Sequence, residues 1–271
     1  MMRSLWTAAS GMIAQQTNVD TISNNLANVN TTGYKSEKTE FKSLLYQTLQ
    51  ARTTTANGAQ KPIPAQVGLG TRVAATTSSF EQGAMLANSS DTAFAIDGKG
   101  FFAVRGADGN TYYTRNGEFN WSMGPTGTAL CNSAGLPVLD SRGNDIVIPN
   151  GIQTSSVKVA EDGTFTYQNN AGQTVQIGTG IGLFQFNNPA GLNKLSGSLY
   201  EVTPASGAAL NEATTNGLER SDIHQKYLEG SNVQLADEMV NLIIAQRAYE
   251  MNSKAIQASD EMLGQANQLR R

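Results

Sequence analysis

The residues that break helices are confined to the middle of this chain. All seven prolines lie between Pro62 and Pro204, and 23 of the 27 glycines lie between Gly58 and Gly217. Because proline and glycine interrupt helices and favour turns, the two ends can form long helices whereas the middle cannot. The distribution therefore predicts a multi-domain α+β chain, in which helices from both ends flank an all-β central domain.

The N-terminal segment, about residues 3–29, carries a seven-residue apolar repeat. The repeat consists of Leu5, Met12, Val19 and Leu26, with Ala8, Ile22 and Val29 three positions further on. Such a repeat is typical of a coiled-coil-like helix, here roughly 40 Å long. Asn28 and Asn30, with Gly33 beyond them, mark its end.

The C-terminal segment, about residues 233–269, has an apolar surface wider than one partner helix would cover. One row at spacings of three and four comprises Val240, Ile244, Ala248, Met251, Ala255, Ala258, Met262, Ala266 and Leu269. A second row beside it comprises Leu235, Met239, Leu242, Tyr249, Ile256 and Leu263. Ser231 and Gln234 have the spacing of a capping box, which predicts the start of this helix. The breadth of the surface indicates more than one neighbouring helix.

The two terminal helices allow two interpretations. They can form an ordinary antiparallel pair inside one monomer, or they can pack against neighbouring chains. The N-terminal helix carries only Arg3 and Asp20 as charges before Lys35, so an exposed face of it would be an adhesive patch on a monomer. Isolated helices are also marginal in water. These features favour ends that become ordered when neighbouring chains supply contacts.

Short alternating runs separated by turn residues occupy the middle, about residues 67–212. The runs with the alternation of strands are 101–104, 111–114, 157–159, 164–167 and 182–186. Three pairs that predict hairpins with type I′ turns are Asp108-Gly109, Asn116-Gly117 and Asp162-Gly163. In the preceding connector, a short amphipathic helix is expected around Phe41, Leu44, Leu45 and Leu49. The polar stretch 52–65 that follows is expected to be flexible.

Composition and charge exclude several classes of function. Charged residues make up only 15% of the chain, and the net charge of −3 gives no reason to expect nucleic acid as a partner. One cysteine and one histidine exclude an intrachain disulfide and a thiolate-rich zinc site. No segment approaches the roughly 20 apolar residues that span a bilayer, and no signal-peptide core follows Arg3. By these rules alone the protein is expected to be soluble and cytoplasmic.

Catalytic interpretations of individual residues are weaker than structural ones. Residues 97–100 lack the spacing of a phosphate-binding loop, so a turn before a buried strand is expected. Paired carboxylates for glycoside hydrolysis could occur among Asp91, Asp97, Glu118, Asp140, Asp145 and Asp162. Several of these adjoin glycine or asparagine, where aspartate commonly serves turns. Cys131 is expected to be a small buried hydrophobe and His224 a solvated or interface residue. We therefore expect no enzyme activity and no catalytic, cofactor or metal site.

Longer strings at both ends resemble a known family. Residues 23–35, Ser-Asn-Asn-Leu-Ala-Asn-Val-Asn-Thr-Thr-Gly-Tyr-Lys, resemble the N-terminal signature of flagellar axial proteins, which include rod, hook and hook-associated subunits. Residues 229–252, with Gln-Arg-Ala-Tyr-Glu-Met-Asn at their end, are similar to the matching C-terminal signature. Residues 95–102 and 113–119 resemble the family's β-domain motifs. The resemblance thus covers essentially the whole chain.

Three further strings, residues 1–6, 45–48 and 66–70, resemble the distal rod branch of this family. That resemblance implies a structural subunit that polymerises helically into a hollow drive shaft, transmits torque to the hook and conducts exported subunits. The alternatives are a proximal rod or hook-type axial paralogue and, from a different class, a secreted β-domain enzyme or adhesin with a helical stalk.

The resemblance also implies three layers. Residues 1–33 and 230–271 would form an inner, channel-lining layer of helices that pair as in a coiled coil. Residues 34–66 and about 213–229 would form a connecting middle domain, and residues 67–212 a β-rich outer domain.

The implied partners are other flagellar components. They are further copies of this chain, proximal rod proteins, the hook protein, the rod cap protein, the flagellar type III export apparatus and, where they occur, the P- and L-ring bushing proteins. Export by that apparatus needs no cleaved signal peptide. The implied location is therefore the basal body, outside the cytoplasmic membrane and not inserted in it, which replaces the cytoplasmic expectation.

Three groups of residues are candidate sites. The assembly interface comprises Leu5, Met12, Val19, Ile22, Leu26, Val29, Val240, Ile244, Met251, Ala255, Met262 and Leu269. The family motifs comprise Asn24, Asn25, Leu26, Ala27, Asn28, Gly33, Tyr34, Gln246, Arg247, Ala248 and Tyr249. The resemblance further implies that residues 46–66 bridge neighbouring subunits and stiffen the rod, and here the candidates are Tyr46, Gln47, Pro62 and Pro64.

Overall fold

A computed structural model describes residues 2–50, 65–124, 127–149, 152–168, 173–215 and 217–268. Contacts within the chain divide it into two compact units. The helical unit comprises Met1–Ala27, Glu37–Ser78 and Gln234–Arg271, and the β unit comprises Asn28–Ser36 and Ser79–Val233. The predicted fold class, with terminal helices and an all-β central region, is confirmed.

The helical unit contains the two long helices and four strands. Its elements are α1 (Met2–Ala27), β1 (Glu37–Ser43), β2 (Tyr46–Gln50), β3 (Ala65–Gly68), β4 (Thr71–Ser78) and α2 (Leu235–Gln268). Strand β1 pairs antiparallel with β4, and β2 pairs antiparallel with β3. The described part of each helix agrees with the predicted range to within two residues, because these segments include no proline and few glycines.

The predicted capping box at the start of α2 is wrong. The first helical residue is Leu235, and the Ser231 hydroxyl accepts a hydrogen bond from the Val233 N–H, two residues before the helix begins. Asp237 and Glu238 lie in the first turn, where negative charge interacts favourably with the unpaired N–H groups of a helix start.

The short helix predicted around residues 41–49 is also wrong, because this stretch forms β1 and β2. In β1, Lys38, Glu40 and Lys42 alternate with Thr39 and Phe41, which is the two-residue period of a strand. The partner strand β4 is rich in threonine and supplies the pairing that residues 37–43 could not form locally. The stretch expected to be flexible lies outside the described residues, except for residue 65.

The β unit is built from many short strands. They are β5 (Met85–Ala87), β6 (Phe94–Asp97), β7 (Phe101–Arg105), β8 (Thr111–Thr114), β9 (Phe119–Gly124), β10 (Gly127–Asn132), β11 (Val147–Ile148), β12 (Val157–Val159), β13 (Thr164–Gln168), β14 (Thr174–Gly180), β15 (Leu183–Gln185), β16 (Asn193–Lys194), β17 (Leu199–Glu201), β18 (Leu210–Asn211), β19 (Asp222–Gln225) and β20 (Tyr227–Glu229). The largest sheet has the order β16-β17-β8-β7-β15-β18, and smaller sheets pair β11-β10-β9, β12-β13-β14, β19-β6 and β20-β5.

The core of the β unit lies on both faces of β7. Phe102 and Val104 belong to the larger apolar cluster, whereas Phe101 and Ala103 belong to a second cluster rich in aromatic rings. All four are fully buried, as expected when alternate residues of a strand point to opposite faces of a sheet and both faces are covered. Each buried phenylalanine contributes about 1.5–3 kcal/mol relative to an exposed one.

Two of the three predicted hairpins are present, with a different turn from the one expected. Residues 108–109 join β7 to β8 and residues 162–163 join β12 to β13. Only the glycines have positive φ, +81° at Gly109 and +82° at Gly163, so neither turn is type I′. The hairpin predicted at Asn116-Gly117 is wrong, because β8 pairs with β7 and β17 whereas β9 pairs with β10.

Candidate functional site

Helices α1 and α2 pack antiparallel within the helical unit, with small and polar residues at their contacts. The hydroxyls of Ser4 and Ser259 lie 3.2 Å apart. Seven residues further along α1, a Cβ on Gly11 would lie 2.9 Å from the amide nitrogen of Asn252, which is seven residues back along α2. The steps on the two helices are equal, and Ser4 and Gly11 each lie one position before a residue of the predicted apolar repeat, Leu5 and Met12.

Asn25, a family-motif residue, fixes the C-terminal end of α1. Its side-chain amide donates to the Glu37 carbonyl oxygen at 2.8 Å and accepts from the Glu37 N–H at 2.9 Å, as a neighbouring strand would. The same amide also donates to the Glu238 carboxylate in the first turn of α2 at 3.0 Å. With 1% of its surface exposed, Asn25 therefore joins α1, β1 and α2 through a fully bonded buried side chain.

The other face of α2 is apolar and exposed. We define the α2 apolar surface by the large residues that are exposed there: Leu235, Met239, Val240, Ile243, Ile244, Tyr249, Met251 and Met262. Among the described residues of this helix only Ala245 and Ser259 are buried. Many exposed apolar residues on one helix are unusual on a monomer, which makes this surface a candidate interface.

The predicted interface residues divide between buried and exposed positions. Val240, Ile244, Met251, Ala255 and Met262 are exposed on α2. Leu5, Met12, Val19, Leu26 and Val29 are half-buried and Ile22 is buried. Leu269 lies outside the described residues.

Two highly exposed apolar residues of α1, Trp6 and Ile13, are not among the predicted interface residues. Trp6 is 75% exposed and Ile13 is 66% exposed. They follow Leu5 and Met12 by one position and are themselves seven residues apart. The seven-residue spacing of Trp6 and Ile13, parallel to that of Leu5 and Met12, could have identified them.

A buried cluster of charges lies inside the β unit, where strings from both ends and the middle of the chain meet. The Lys35 ammonium lies 2.6 Å from one oxygen of the Glu229 carboxylate, and the Arg115 guanidinium lies 3.3 Å from the other. All three side chains are at most 1% exposed. We call this cluster the charged junction. Lys35 ends the N-terminal motif, Glu229 begins the C-terminal motif and Arg115 lies in a β-domain motif.

The charged junction holds two cations and one carboxylate. Burial lowers the pKa of Lys35 and of Arg115 below their ordinary values, and the Glu229 carboxylate opposes both shifts. Backbone carbonyl groups satisfy further donors: Lys35 donates to the Glu81 oxygen at 2.7 Å and Arg115 to the Gly98 oxygen at 2.7 Å. Glu229 is thus the carboxylate that balances both buried cations.

The conformation of Gly33, another family-motif residue, brings the N-terminal segment onto the β unit. Its φ of +67° is favourable for glycine, and a Cβ there would lie 2.6 Å from the Asn116 nitrogen. The Gly33 N–H donates to the Glu229 carbonyl oxygen at 2.8 Å. Next to it, Tyr34 is buried with the Lys194 ammonium 4.3 Å from its ring centroid. Position 33 therefore requires glycine, because the backbone at Asn116 lies too close to leave room for a Cβ atom.

The remaining family-motif residues line a groove, form an exposed ion pair, or lie at exposed and half-buried positions. Gln246 and Tyr249 line a groove of about 430 Å³ with Gln16 and Val19 of α1. Asn24 and Ala27 are exposed, Leu26, Asn28 and Ala248 are half-buried, and Arg247 forms an exposed ion pair with Glu250 at 2.8 Å. Tyr46 and Gln47 are exposed on β2, whereas Pro62 and Pro64 lie outside the described residues.

Four of the six carboxylates considered for glycoside hydrolysis have structural partners. Asp91 and Asp145 form ion pairs with a lysine and an arginine at 2.9 and 3.2 Å. Asp140 and Asp162 accept hydrogen bonds from backbone N–H groups of their own turns. These contacts account for the residue types by fold alone.

The lone cysteine and histidine also have ordinary surroundings. Cys131 is buried in β10, where burial raises the pKa of its thiol. His224 is partly exposed, with its Nε2 atom 3.9 Å from the Asp97 carboxylate. Within the described ranges, no group of three or more histidine, cysteine or acidic residues could hold a metal ion. Of the helices described, none is long and apolar enough to cross a membrane.

Three family models match this chain, and each matched range contains one residue of the charged junction. Residues 5–35 match the flagella basal body rod protein model, and residues 95–167 match the flagellar hook protein FlgE/F/G D1 domain. Residues 224–269 match the flagellar basal body rod FlgEFG protein C-terminal model. The first and last matches include Lys35 and Glu229, and the second includes Arg115.

Full-length relatives distinguish among the members of this group. The chain is 44% identical to the flagellar basal-body rod protein FlgG of Borreliella burgdorferi, over 100% of both chains. It is 37% identical to FlgG of Bacillus subtilis and 32% identical to the flagellar hook-basal body complex protein FlhP of the same organism, each over 100% of both chains. The greater similarity to FlgG within one organism favours the rod branch over that paralogue. The chain therefore belongs to the FlgG family of flagellar basal-body rod proteins.

Proposed function

We propose that this chain is the subunit of the distal rod, a hollow helical shaft that transmits torque to the hook and conducts exported subunits. The observation that carries the proposal is the α2 apolar surface, on which Val240, Ile244 and Met251 are 55%, 60% and 65% exposed. Contacts that join different patches of identical subunits and do not close into a ring generate an open helical filament. The role is mechanical and requires no catalytic site.

Within this assembly we assign the three layers expected from the sequence. Residues 1–33 and 230–271 form the inner layer around the channel, residues 34–66 and 213–229 the middle layer, and residues 67–212 the outer layer. The predicted interface residues, from Leu5 to Leu269, bury against neighbouring copies, except Ile22, which is already buried within the chain. Burial of apolar surface stabilises such contacts by about 25 cal/mol per Å², so many modest contacts produce a stiff shaft.

The proposed partners follow from a place in the basal body outside the cytoplasmic membrane. They are further copies of the chain, proximal rod proteins, the hook protein, the rod cap protein and, where they occur, the P- and L-ring proteins. The chain reaches this place unfolded through the flagellar type III export apparatus, without a cleaved signal peptide. Ends that pair only after export are consistent with this route.

Purified full-length chain is expected to assemble above a critical concentration into straight filaments with an open channel. Sedimentation followed by negative-stain electron microscopy measures this directly. A chain truncated before Gln234 lacks α2 and is the control, which should remain monomeric while the β unit stays folded. Full-length chain that stays monomeric at every concentration would contradict the proposal.

We further assign residues 46–66 a stiffening role between neighbouring subunits. Tyr46 is 62% exposed and Leu49 is 56% exposed, so the described part of this segment has apolar side chains exposed to solvent. Deletion of residues 46–66 is expected to leave filaments that assemble but bend more, because a set of bridging contacts is lost. Persistence length measured on electron micrographs tests this, and complete loss of assembly would contradict a purely stiffening role.

A further inference from the structure

We propose that the charged junction is a clamp: it holds the end of the N-terminal segment beside the start of the C-terminal segment before the terminal helices fold, so that α1 and α2 pair in the correct register. The inference rests on the proposed function, because it concerns a chain whose ends become ordered after export. It assigns Lys35, Arg115 and Glu229 a positioning role in assembly.

The two segments lie side by side through backbone contacts within the β unit. The Gly33 N–H donates to the Glu229 oxygen at 2.8 Å, and the Asn232 N–H donates to the Tyr34 oxygen at 3.4 Å. The Asn232 side chain accepts from the Ser36 N–H at 2.7 Å. All of these residues belong to the β unit, so the contacts do not require α1 or α2 to be folded.

Charged hydrogen bonds to the Glu229 carboxylate add to these backbone contacts. One Glu229 oxygen accepts from Lys35 at 2.6 Å and from the Gly83 N–H at 3.1 Å, and the other accepts from Arg115 at 3.3 Å. A single carboxylate therefore connects the N-terminal segment, the segment before β5 and the end of β8. Hydrogen bonds between charged groups are stronger than neutral ones, and burial removes competing water.

The clamp affects helix pairing because the end of α1 and the start of α2 lie only a few residues from it in the sequence. Helix α1 ends at Ala27 and α2 begins at Leu235, so fixing residues 33–36 beside 229–232 keeps the two helix-forming segments at a high effective concentration. A buried polar contact also favours one register of α1 against α2. A slip by one turn would separate Asn25 from Glu238 and leave its buried amide without that partner.

Lys35→Met is the variant that separates clamping from stability. It removes the charge contributed by the N-terminal segment but leaves Glu229 and Arg115 as a one-to-one pair, so the core of the β unit should stay folded at the temperature of the assay. Spin labels are placed at Asn30 and Tyr227, both exposed, in full-length chain with Cys131→Ala. Pulsed dipolar spectroscopy should show one narrow distance peak for the parent monomer and loss of that peak in Lys35→Met.

The same variants are then assembled. Lys35→Met is expected to raise the critical concentration for filament formation by roughly tenfold or more, because the tether no longer concentrates the helices. Ile146→Ala, which removes a buried core side chain of the β unit far in sequence from the junction, is the control for lost stability. Below its own melting temperature it should keep both the narrow peak and the parent critical concentration.

A narrow peak that survives in Lys35→Met would overturn the clamp. A peak that is lost while assembly is unchanged would overturn its role in register. If parent chain shows the narrow peak but forms no filaments, the proposed function fails, and the role of the clamp in assembly fails with it.

Discussion

Replacing Ile244 and Met251 together with glutamine is expected to abolish filament assembly while the monomer remains folded. Both side chains are more than half exposed, so the substitutions should change the stability of the monomer by no more than about 0.5 kcal/mol. The proposed filament contact would bury each side chain against a neighbour, where a large apolar residue contributes about 1.5–3 kcal/mol. Loss of both corresponds to a critical concentration raised by roughly 100-fold or more.

Sedimentation across a concentration series measures this effect, and circular dichroism on heating checks the monomer. Val175→Gln with Val202→Gln is the matched control, since both residues are partly exposed apolar side chains of the β unit. That control should assemble as the parent chain does. Normal assembly of the α2 double variant would show that its apolar surface is not the interface.

Glu229→Gln is expected to destabilise the β unit by about 3–5 kcal/mol, the usual effect of removing one partner from a buried ion pair. The substitution removes the carboxylate that forms ion pairs with both buried cations, Lys35 and Arg115. Urea denaturation followed by fluorescence measures the loss. Trp6→Phe is introduced throughout, so that Trp121 in β9 reports on the β unit alone.

Glu219→Gln provides the comparison for this measurement. Glu219 forms an ion pair with Lys99 at 3.6 Å, but the two side chains are 84% and 78% exposed. Exposed pairs contribute little, so the free energy of unfolding should change by less than about 1 kcal/mol. Equal losses in Glu229→Gln and Glu219→Gln would contradict the structural importance of the charged junction.

The terminal helices could be predicted because their determinants are local. Helix α1 has the apolar repeat within one continuous segment, and α2 has two such rows with no proline. The strand at Phe101 and Phe102 could also be predicted, because an Asp-Gly-Lys-Gly turn directly precedes a run of apolar residues. The structure confirms that these residues are buried. The family strings then indicated that both ends belong to one assembly.

The pairing of β1 with β4 could not be predicted, although β1 itself has the alternation of a strand, because its partner lies beyond β2 and β3 in the chain. Phe41 pairs with Val73, and the register shifts beside it, so no local pattern specifies the contact. The charged junction has the same origin: Lys35 and Glu229 are separated by 194 residues. Each of its residues lies in a family string, and that shared membership was the signal available before the structure.

The central claim is that the α2 apolar surface is the contact between copies of this chain. A cryo-electron microscopy reconstruction of filaments assembled from purified full-length chain tests it most directly. We expect Val240, Ile244 and Met251 to be buried against neighbouring subunits, with α1 and α2 forming the innermost layer around an open channel. Filaments in which these three side chains remain exposed to solvent would contradict it.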